Sequence, residues 1–165
     1  MRFLLIDRII DFQPGAKITA VKSLTMAEEY LEDHFPNFPV MPGVLMLEAM
    51  TQAAAWLIRL SEDFAHSVVV LKQASNVKYG QFVEPGQLLT VTAEIISQTD
   101  TETKVKAQGT VEGRTTVSGR LVLERYNLAD REPSEAGMDE MILDEMRNHL
   151  TLLYQPGAPV VPTTV

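Results

Sequence analysis

Residues 43 to 60, GVLMLEAMTQAAAWLIRL, constrain the fold more than any other stretch of the chain. Pro42 suits the first helical position, where a missing backbone N–H is harmless, and Gly43 beside it leaves that end uncrowded, so a helix is expected from there to about Ser61. Apolar residues cover nearly its whole circumference, and only Glu48, Thr51, Gln52, Ala55 and Arg59 form one narrow stripe at helical spacing. The segment has transmembrane length, but these polar and charged residues argue for a buried helix rather than a membrane span. A helix of this kind must be wrapped by other structure.

The wrapping is legible in the second half, where residues alternate with period two. Leu89, Val91, Ala93 and Ile95 are set against Thr90, Thr92 and Glu94; Val105, Ala107 and Val111 against Lys104, Lys106 and Thr110; Val117, Leu121 and Leu123 against Thr116, Ser118 and Arg120. Turn signals fall between them at Gln98-Thr99-Asp100 and Glu112-Gly113. Upstream, Ser67 to Lys78 reads as a further strand ended by Gly80, and Pro85-Gly86 opens the next. Phe3 to Phe12 and Ala16 to Leu24, joined by Gln13-Pro14-Gly15, read as a hairpin. The expectation is an α+β fold: about six antiparallel strands around one long central helix, over residues 1–127.

After Tyr126 the polar, turn-rich NLADREPSEAG has the marks of a linker. An amphipathic helix is expected over about 138–154, with Met138, Met141, Ile142, Met146, His149, Leu150 and Leu153 on one face, docked on its own domain or a neighbour. The tail QPGAPVVPTTV is Pro-rich and reads as extended or disordered. Residues 128–165 are thus an addition to the first domain. With 14 basic and 22 acidic residues the net charge is -8, which argues against nucleic acid and against an anionic membrane surface as partners. The absence of cysteine excludes disulfides, thiolate metal sites and cysteine nucleophiles. Asp7, Arg8 and Asp11 interrupt the N-terminal apolar patch before a signal-peptide core could form, so a cytoplasmic address is expected.

The segment HFPNFPVMPGVLMLEAM, residues 34 to 50, carries the chemistry. One histidine is followed by thirteen uncharged residues and then by a glutamate inside an apolar run. A carboxylate stripped of water must be paired, hydrogen-bonded or protonated. The neutral form, favoured by desolvation, is the one a general acid requires, and histidine is a fitting base near neutrality. The helix start at Pro42-Gly43 leaves unpaired N–H groups with the positive end of the helix dipole behind them, which makes Gly43 a candidate oxyanion donor. Gln52, one turn beyond Glu48, is placed to orient its carboxyl group.

His34, Phe35, Pro36, Pro39, Val40, Met41, Pro42, Gly43, Val44, Leu45, Glu48, Ala49, Met50 and Gln52 together resemble the signature of the 3-hydroxyacyl-[acyl carrier protein] dehydratases of fatty-acid synthesis. About fifteen of nineteen positions match, with the fourteen-residue step from histidine to acid intact; glutamate at 48 resembles the dehydrating type rather than the isomerising relatives, which carry aspartate. The resemblance implies a hot-dog fold and conversion of a 3-hydroxyacyl thioester to the trans-2-enoyl thioester without a cofactor or metal. His34 would be the base, Glu48 the acid and Gly43 the amide holding the thioester carbonyl, with Phe35, Val40, Met41 and Val44 bordering an apolar acyl tunnel. It also implies a homodimer, grouped as a trimer of dimers in some relatives, in which His and Glu of one site come from opposite subunits.

Alone, His34 would read as a structural histidine, and Glu48 as a partner for Arg59; but eleven residues of helix span about 16 Å, too far for a direct pair. His66 and His149 lie outside the motif and read as structural; the three histidines have no metal-ligand spacing. Three departures stand out. Asp33 and Asn37 replace glycines common in the family, and Asn37 can still adopt a left-handed turn in its place. The region VKYGQFVEPGQ offers Lys78 alone where relatives carry several basic residues for an acidic carrier protein, which leaves coenzyme A open as the carrier. The third is the extension after residue 127. A hot-dog thioesterase is the alternative enzyme, and a non-catalytic acyl-binding subunit a third reading.

Overall fold

The computed structural model describes residues 4–155. The chain forms β1 (Arg8–Gln13), β2 (Lys17–Ser23), α1 (Gly43–Ser61), β3 (Val68–Tyr79), β4 (Leu88–Gln98), β5 (Glu102–Val111), β6 (Arg114–Tyr126) and α2 (Ala136–Leu153), with short 3-10 turns at Glu29–Leu31, Leu128–Asp130 and Pro133–Glu135. The six strands make one antiparallel sheet in the order β1-β2-β4-β5-β6-β3, and α1 packs across its inner face. This is the hot-dog arrangement. The expected Pro-rich tail begins at the limit of the described residues and lies almost wholly outside them.

Period-two alternation decides the inner face: Ile18, Ala20, Leu89, Val91, Ala93, Val105, Ala107, Val117, Leu121 and Leu123 are buried against Met46, Ala49, Met50, Ala53, Ala54 and Leu57 of the helix. Small residues on both sides let the helix lie close. At Gly109 an added Cβ would stand 2.9 Å from Val117 Cγ1 and 3.0 Å from Leu89 Cδ1, so that strand position is filled by its neighbours.

The ends of α1 follow from local chemistry. Pro42, at φ -56° and ψ 137°, keeps the chain extended up to Gly43. At the other end the Glu62 N–H still reaches the Ile58 carbonyl, after which Asp63 and Phe64 turn left-handed at φ 49° and 59° and the Phe64 amide bonds the Arg59 carbonyl. Burial of the Phe64 side chain holds that turn.

Two sequence expectations are shifted. The first strand begins at Arg8 rather than Phe3, since Leu5 and Ile6 enter the core before the ladder starts. Asn37 is not left-handed; the left-handed non-glycine residues are Asp63, Phe64, Asn76 and Glu112.

Residues 128–135 are pinned rather than loose. Asn127 and Asp130 form a reciprocal capping box, the Arg131 guanidinium lies 3.9 Å over the Tyr126 ring, and α2 lies back on its own domain with Leu153 buried. Among the described residues no helix is long and apolar enough to cross a membrane.

Candidate active site

His34 sits in the loop before α1. The amide of Phe35 donates to the Phe38 carbonyl at 3.2 Å and that of Phe38 returns to Phe35 at 2.9 Å, closing a tight turn around Pro36 and Asn37. The Val40 amide then bonds the His34 carbonyl at 2.9 Å, and the His34 Nδ1 lies 2.9 Å from the Val40 carbonyl. A carbonyl can only accept, so this contact puts the ring proton on Nδ1 and leaves Nε2 with its lone pair free when the ring is neutral. The ring stacks on Phe35 with centroids 4.3 Å apart. Met41 is tied to the sheet side by its amide, 2.9 Å from the Val83 carbonyl.

Glu48 lies in the second turn of α1. Gln52 Nε2 donates to its Oε1 at 3.0 Å, and the Leu5 amide donates to Gln52 Oε1 at 3.0 Å. The amide side chain is therefore fixed from outside the helix and presents its NH2 group to the carboxylate. Glu48 as a whole is half-buried within its own chain.

Gly43 opens the helix, so its N–H has no carbonyl one turn back to bond. An added Cβ there would stand 3.0 Å from Tyr79 Cε1, so the ring at the end of β3 closes on the helix start. The remaining expected site residues divide in two. Val40 and Met41 are fully buried, whereas Val44 and Phe35 are 67% and 50% exposed.

Among the described residues His34 and Glu48 share no hydrogen bond or ion pair: His34 is engaged by Val40 and Phe35, Glu48 by Gln52. No group of three histidine or acidic residues that could hold a metal occurs there either. His66 pairs with Glu62 at 3.2 Å, and the ring of His149 packs edge-on against Trp56 at 5.7 Å. Arg59 also lies by Trp56, 5.9 Å from its centroid, and burial brings its guanidinium down to about 10; it is not a partner of Glu48.

Sequence reasoning missed three aromatic neighbours of this region. Tyr79 touches Gly43, and Phe38 packs edge-on against Phe82 at 5.5 Å, leaving both partly exposed. Their signal was faint: Tyr79 and Phe82 lie between two expected strands, and Phe38 lies inside the motif without being one of its matched positions.

A family model described as the FabA-like domain matches residues 1–125. The chain belongs to that family. Residues after 125, including α2, lie outside the match. Two curated relatives of this FabA-like chain carry the name 3-hydroxyacyl-[acyl-carrier-protein] dehydratase FabZ. The one from Ruminiclostridium cellulolyticum is 37% identical over 119 residues, covering 72% of this chain and 84% of that protein. The one from Lactococcus lactis is 40% identical over 119 residues, covering 72% and 82%. Among solved structures, the dehydratase heterocomplex ApeI:P from Xenorhabdus doucetiae aligns with a TM-score of 0.64 at 17% identity, over 76% of this chain and 85% of that one. The smu.793 protein from Streptococcus mutans, bound to acetyl CoA, aligns at 0.58 and 13% identity, over 76% and 92%. At such identities these two share the fold alone.

Proposed function

We propose that this FabA-like chain removes water from a 3-hydroxyacyl thioester on acyl carrier protein, giving the trans-2-enoyl thioester. The observation that carries the reading is that each of two groups of opposite duty is held separately: a histidine whose Nδ1 faces a carbonyl, leaving Nε2 as a base, and a glutamate on the adjoining helix held by an anchored glutamine. The names of the relatives support the same reaction.

The electron count closes with these groups. Nε2 of His34 takes the proton from the carbon next to the thioester carbonyl, and charge gathers on the carbonyl oxygen, where the Gly43 amide at the positive helix end stabilises it. The electron pair then forms the double bond as the C–O bond at carbon 3 breaks, and Glu48 gives its proton to the departing hydroxyl, which leaves as water. The proton on His34 and the charge on Glu48 cancel when a proton returns between them or through water. Phe35, Val40, Met41 and Val44 border the acyl chain.

The site is completed by a second copy of the chain. Phe35, Phe38, Val44, Tyr79 and Phe82 are all more than two-fifths exposed around one end of α1, and β3 beside them is an edge strand with Val70 and Leu71 exposed. Exposed large apolar residues gathered at one helix end, beside an unpaired strand edge, mark an interface. The lack of a hydrogen bond or ion pair between His34 and Glu48 among the described residues fits a site whose acid comes from the partner.

The test is turnover of a 3-hydroxyacyl thioester offered on carrier protein and on coenzyme A, reading enoyl product and free thiol, with His34→Ala and Glu48→Ala alongside. Enoyl product that disappears in both variants is expected. Free thiol that survives loss of His34 would instead make the chain a thioesterase.

A further inference from the structure

Lys22 is a charged residue in a core position. It follows Ile18 and Ala20 at period two along β2, stands opposite the fully buried Leu89 of β4, and is only 6% exposed. Its ammonium group lies 2.7 Å from Glu28 Oε1 and 3.3 Å from Asp7 Oδ1, and the Tyr30 hydroxyl shares the Glu28 carboxylate. Desolvation alone would lower the lysine, but the hydrogen bond it donates to Glu28 and the charges of both acids outweigh it and hold it above the ordinary lysine value. Burial, and then the same two carboxylates, push the Tyr30 hydroxyl up as well. Both groups keep their protons at neutral pH. An apolar side chain at this position would pack beside Leu89 with no ammonium to desolvate, so stability gives no reason for the charge.

The two acids differ in what they join. Asp7 precedes β1, its amide bonds the Val21 carbonyl and its Oδ2 accepts the Ser23 amide at 2.6 Å, so its contact with Lys22 links strands that are already paired. Glu28 belongs instead to the segment between β2 and α1. That segment is tied to the β3–β4 connection at its two ends, by Leu24 with Gln87 and Gly86 and by Met41 with Val83. Among the described residues, the backbone hydrogen bonds of residues 25–40 otherwise stay within the segment, and its one ion pair to the sheet is Glu28 with Lys22. Leu31, buried in the core, is the apolar half of the same anchor. The bonds from Leu31 to Glu28 and from Glu32 to Glu29 make this stretch a continuous turn, and only Asp33 separates it from His34. Val40 fixes His34 from the other side.

We propose that Lys22 and Glu28 are positioning residues for the dehydration: the buried ammonium clamps the loop through Glu28 and so sets where the His34 ring stands. The proposal rests on the dehydratase reading for the reaction, though not for the clamp. Both residues act through His34. A base displaced by about 1 Å can cost about 10²-fold in rate, and a loop that bonds mainly to itself needs an anchor in the sheet to hold its base within that limit.

Two variants separate the clamp from the hairpin. Glu28→Gln removes the charge on the loop and leaves Lys22 paired with Asp7, while Asp7→Asn does the reverse. In Glu28→Gln, kcat per folded molecule is expected to fall roughly tenfold or more with KM nearly unchanged. Asp7→Asn is expected to lower the melting temperature and keep kcat. Lys22→Met combined with Glu28→Gln should lose no more kcat than Glu28→Gln alone, because the clamp is one interaction; if Lys22→Met does not fold, Glu28→Gln decides. An unchanged kcat in Glu28→Gln, or an equal fall in Asp7→Asn, overturns the proposal and leaves a structural ion pair. Nitrogen NMR of the neutral histidine rings, assigned with His34→Ala, reads the same placement without turnover. The parent is expected to show His34 in its Nδ1–H form, and Glu28→Gln a shift toward a mixture of the two tautomers. A His34 signal that does not move overturns the proposal whatever happens to kcat. A parent that makes no enoyl product, but whose His34 signal moves in Glu28→Gln and not in Asp7→Asn, counts against the dehydratase reading and leaves the clamp standing.

Discussion

The two ends of α1 have the same kind of surroundings in sequence and opposite fates in structure. At the end nearer Ser61 the chain closes on itself: Trp56 is buried beneath Phe64 and His149, Arg147 lies 5.4 Å over the Phe64 ring, and α2 lies across β1, where Tyr154 packs edge-on against Phe12 at 6.4 Å. At the Gly43 end the same abundance of aromatic residues is left in the open, around a histidine and a glutamate that share no hydrogen bond or ion pair among the described residues. A chain that can cover one end with its own extension, and leaves the other uncovered, reserves the second for something it does not itself supply. On the proposed reading, stability and chemistry fall at different ends of one helix.

The sharpest way to break that comparison is subunit complementation. His34→Ala and Glu48→Ala, each alone, are expected to lose roughly 10²–10⁴ in kcat, with little change in melting temperature, because both groups lie at the uncovered end. Unfolded together and refolded as an equal mixture, they are expected to regain about a quarter of parental activity, since half the dimers are mixed and one of the two sites in each then carries both wild-type groups. No recovery would place His34 and Glu48 of one site in the same chain. The open end would then be complete as it stands, and the exposed aromatics would need another explanation.

At the covered end the effect should appear in stability instead. Trp56→Ala removes a buried side chain that Phe64, His149 and Arg59 all pack against, at an expected cost of about 3–5 kcal/mol. Chemical denaturation measures the loss, and kcat per folded molecule should stay close to the parent's. A large fall in kcat at unchanged stability would show that the two ends are coupled through the helix.

How much of this division was legible depends on the range of the interactions involved. The bounds of α1 follow from Pro42 and from the end of the apolar run, both local signals. The six strands follow from alternation, because one face of the sheet is buried and a one-residue slip would expose it. The motif from His34 to Glu48 was visible because its spacing is carried by consecutive residues. The partners that fix it were less so: the bond from His34 to Val40 depends on the turn at Phe35–Phe38, and the closeness of Tyr79 to Gly43 joins residues that only the β3 path brings together. A cluster of charges on the outer face of the sheet was invisible for the same reason. Lys106 and Arg120 read as ordinary solvated positions and Lys78 as the lone basic residue of its segment, and only the register sets them together.

Asp139 is the extreme case, because on the sequence it is one of many acids on the polar face of an amphipathic helix. In the structure it is buried, accepts the hydroxyl of Ser67 on the strand approach to β3, and accepts the amides of Leu128 and Ala129 at 2.8 and 2.9 Å. Desolvation by itself would raise its carboxyl group, but the Ser67 hydroxyl and the two amides outweigh it and hold the group below the usual carboxylate value. A folded-state value below the unfolded one stabilises the docked helix at neutral pH. That contribution is in place above the ordinary carboxylate range and is lost as pH falls through the depressed folded value. Protection of α2 amides, taken relative to their intrinsic exchange rates, should therefore fall on acidification before that of β4 and β5 does, and Asp139→Asn should show the lower protection already at neutral pH with little further dependence on acid. The variant's enoyl-forming activity at neutral pH should be nearly that of the parent, since the latch sits at the covered end. Exchange in α2 that keeps pace with the sheet at every pH would mean that the extension and the six-stranded core open as one unit, and the covered end would then be held by its apolar contacts with no measurable part for the buried carboxylate.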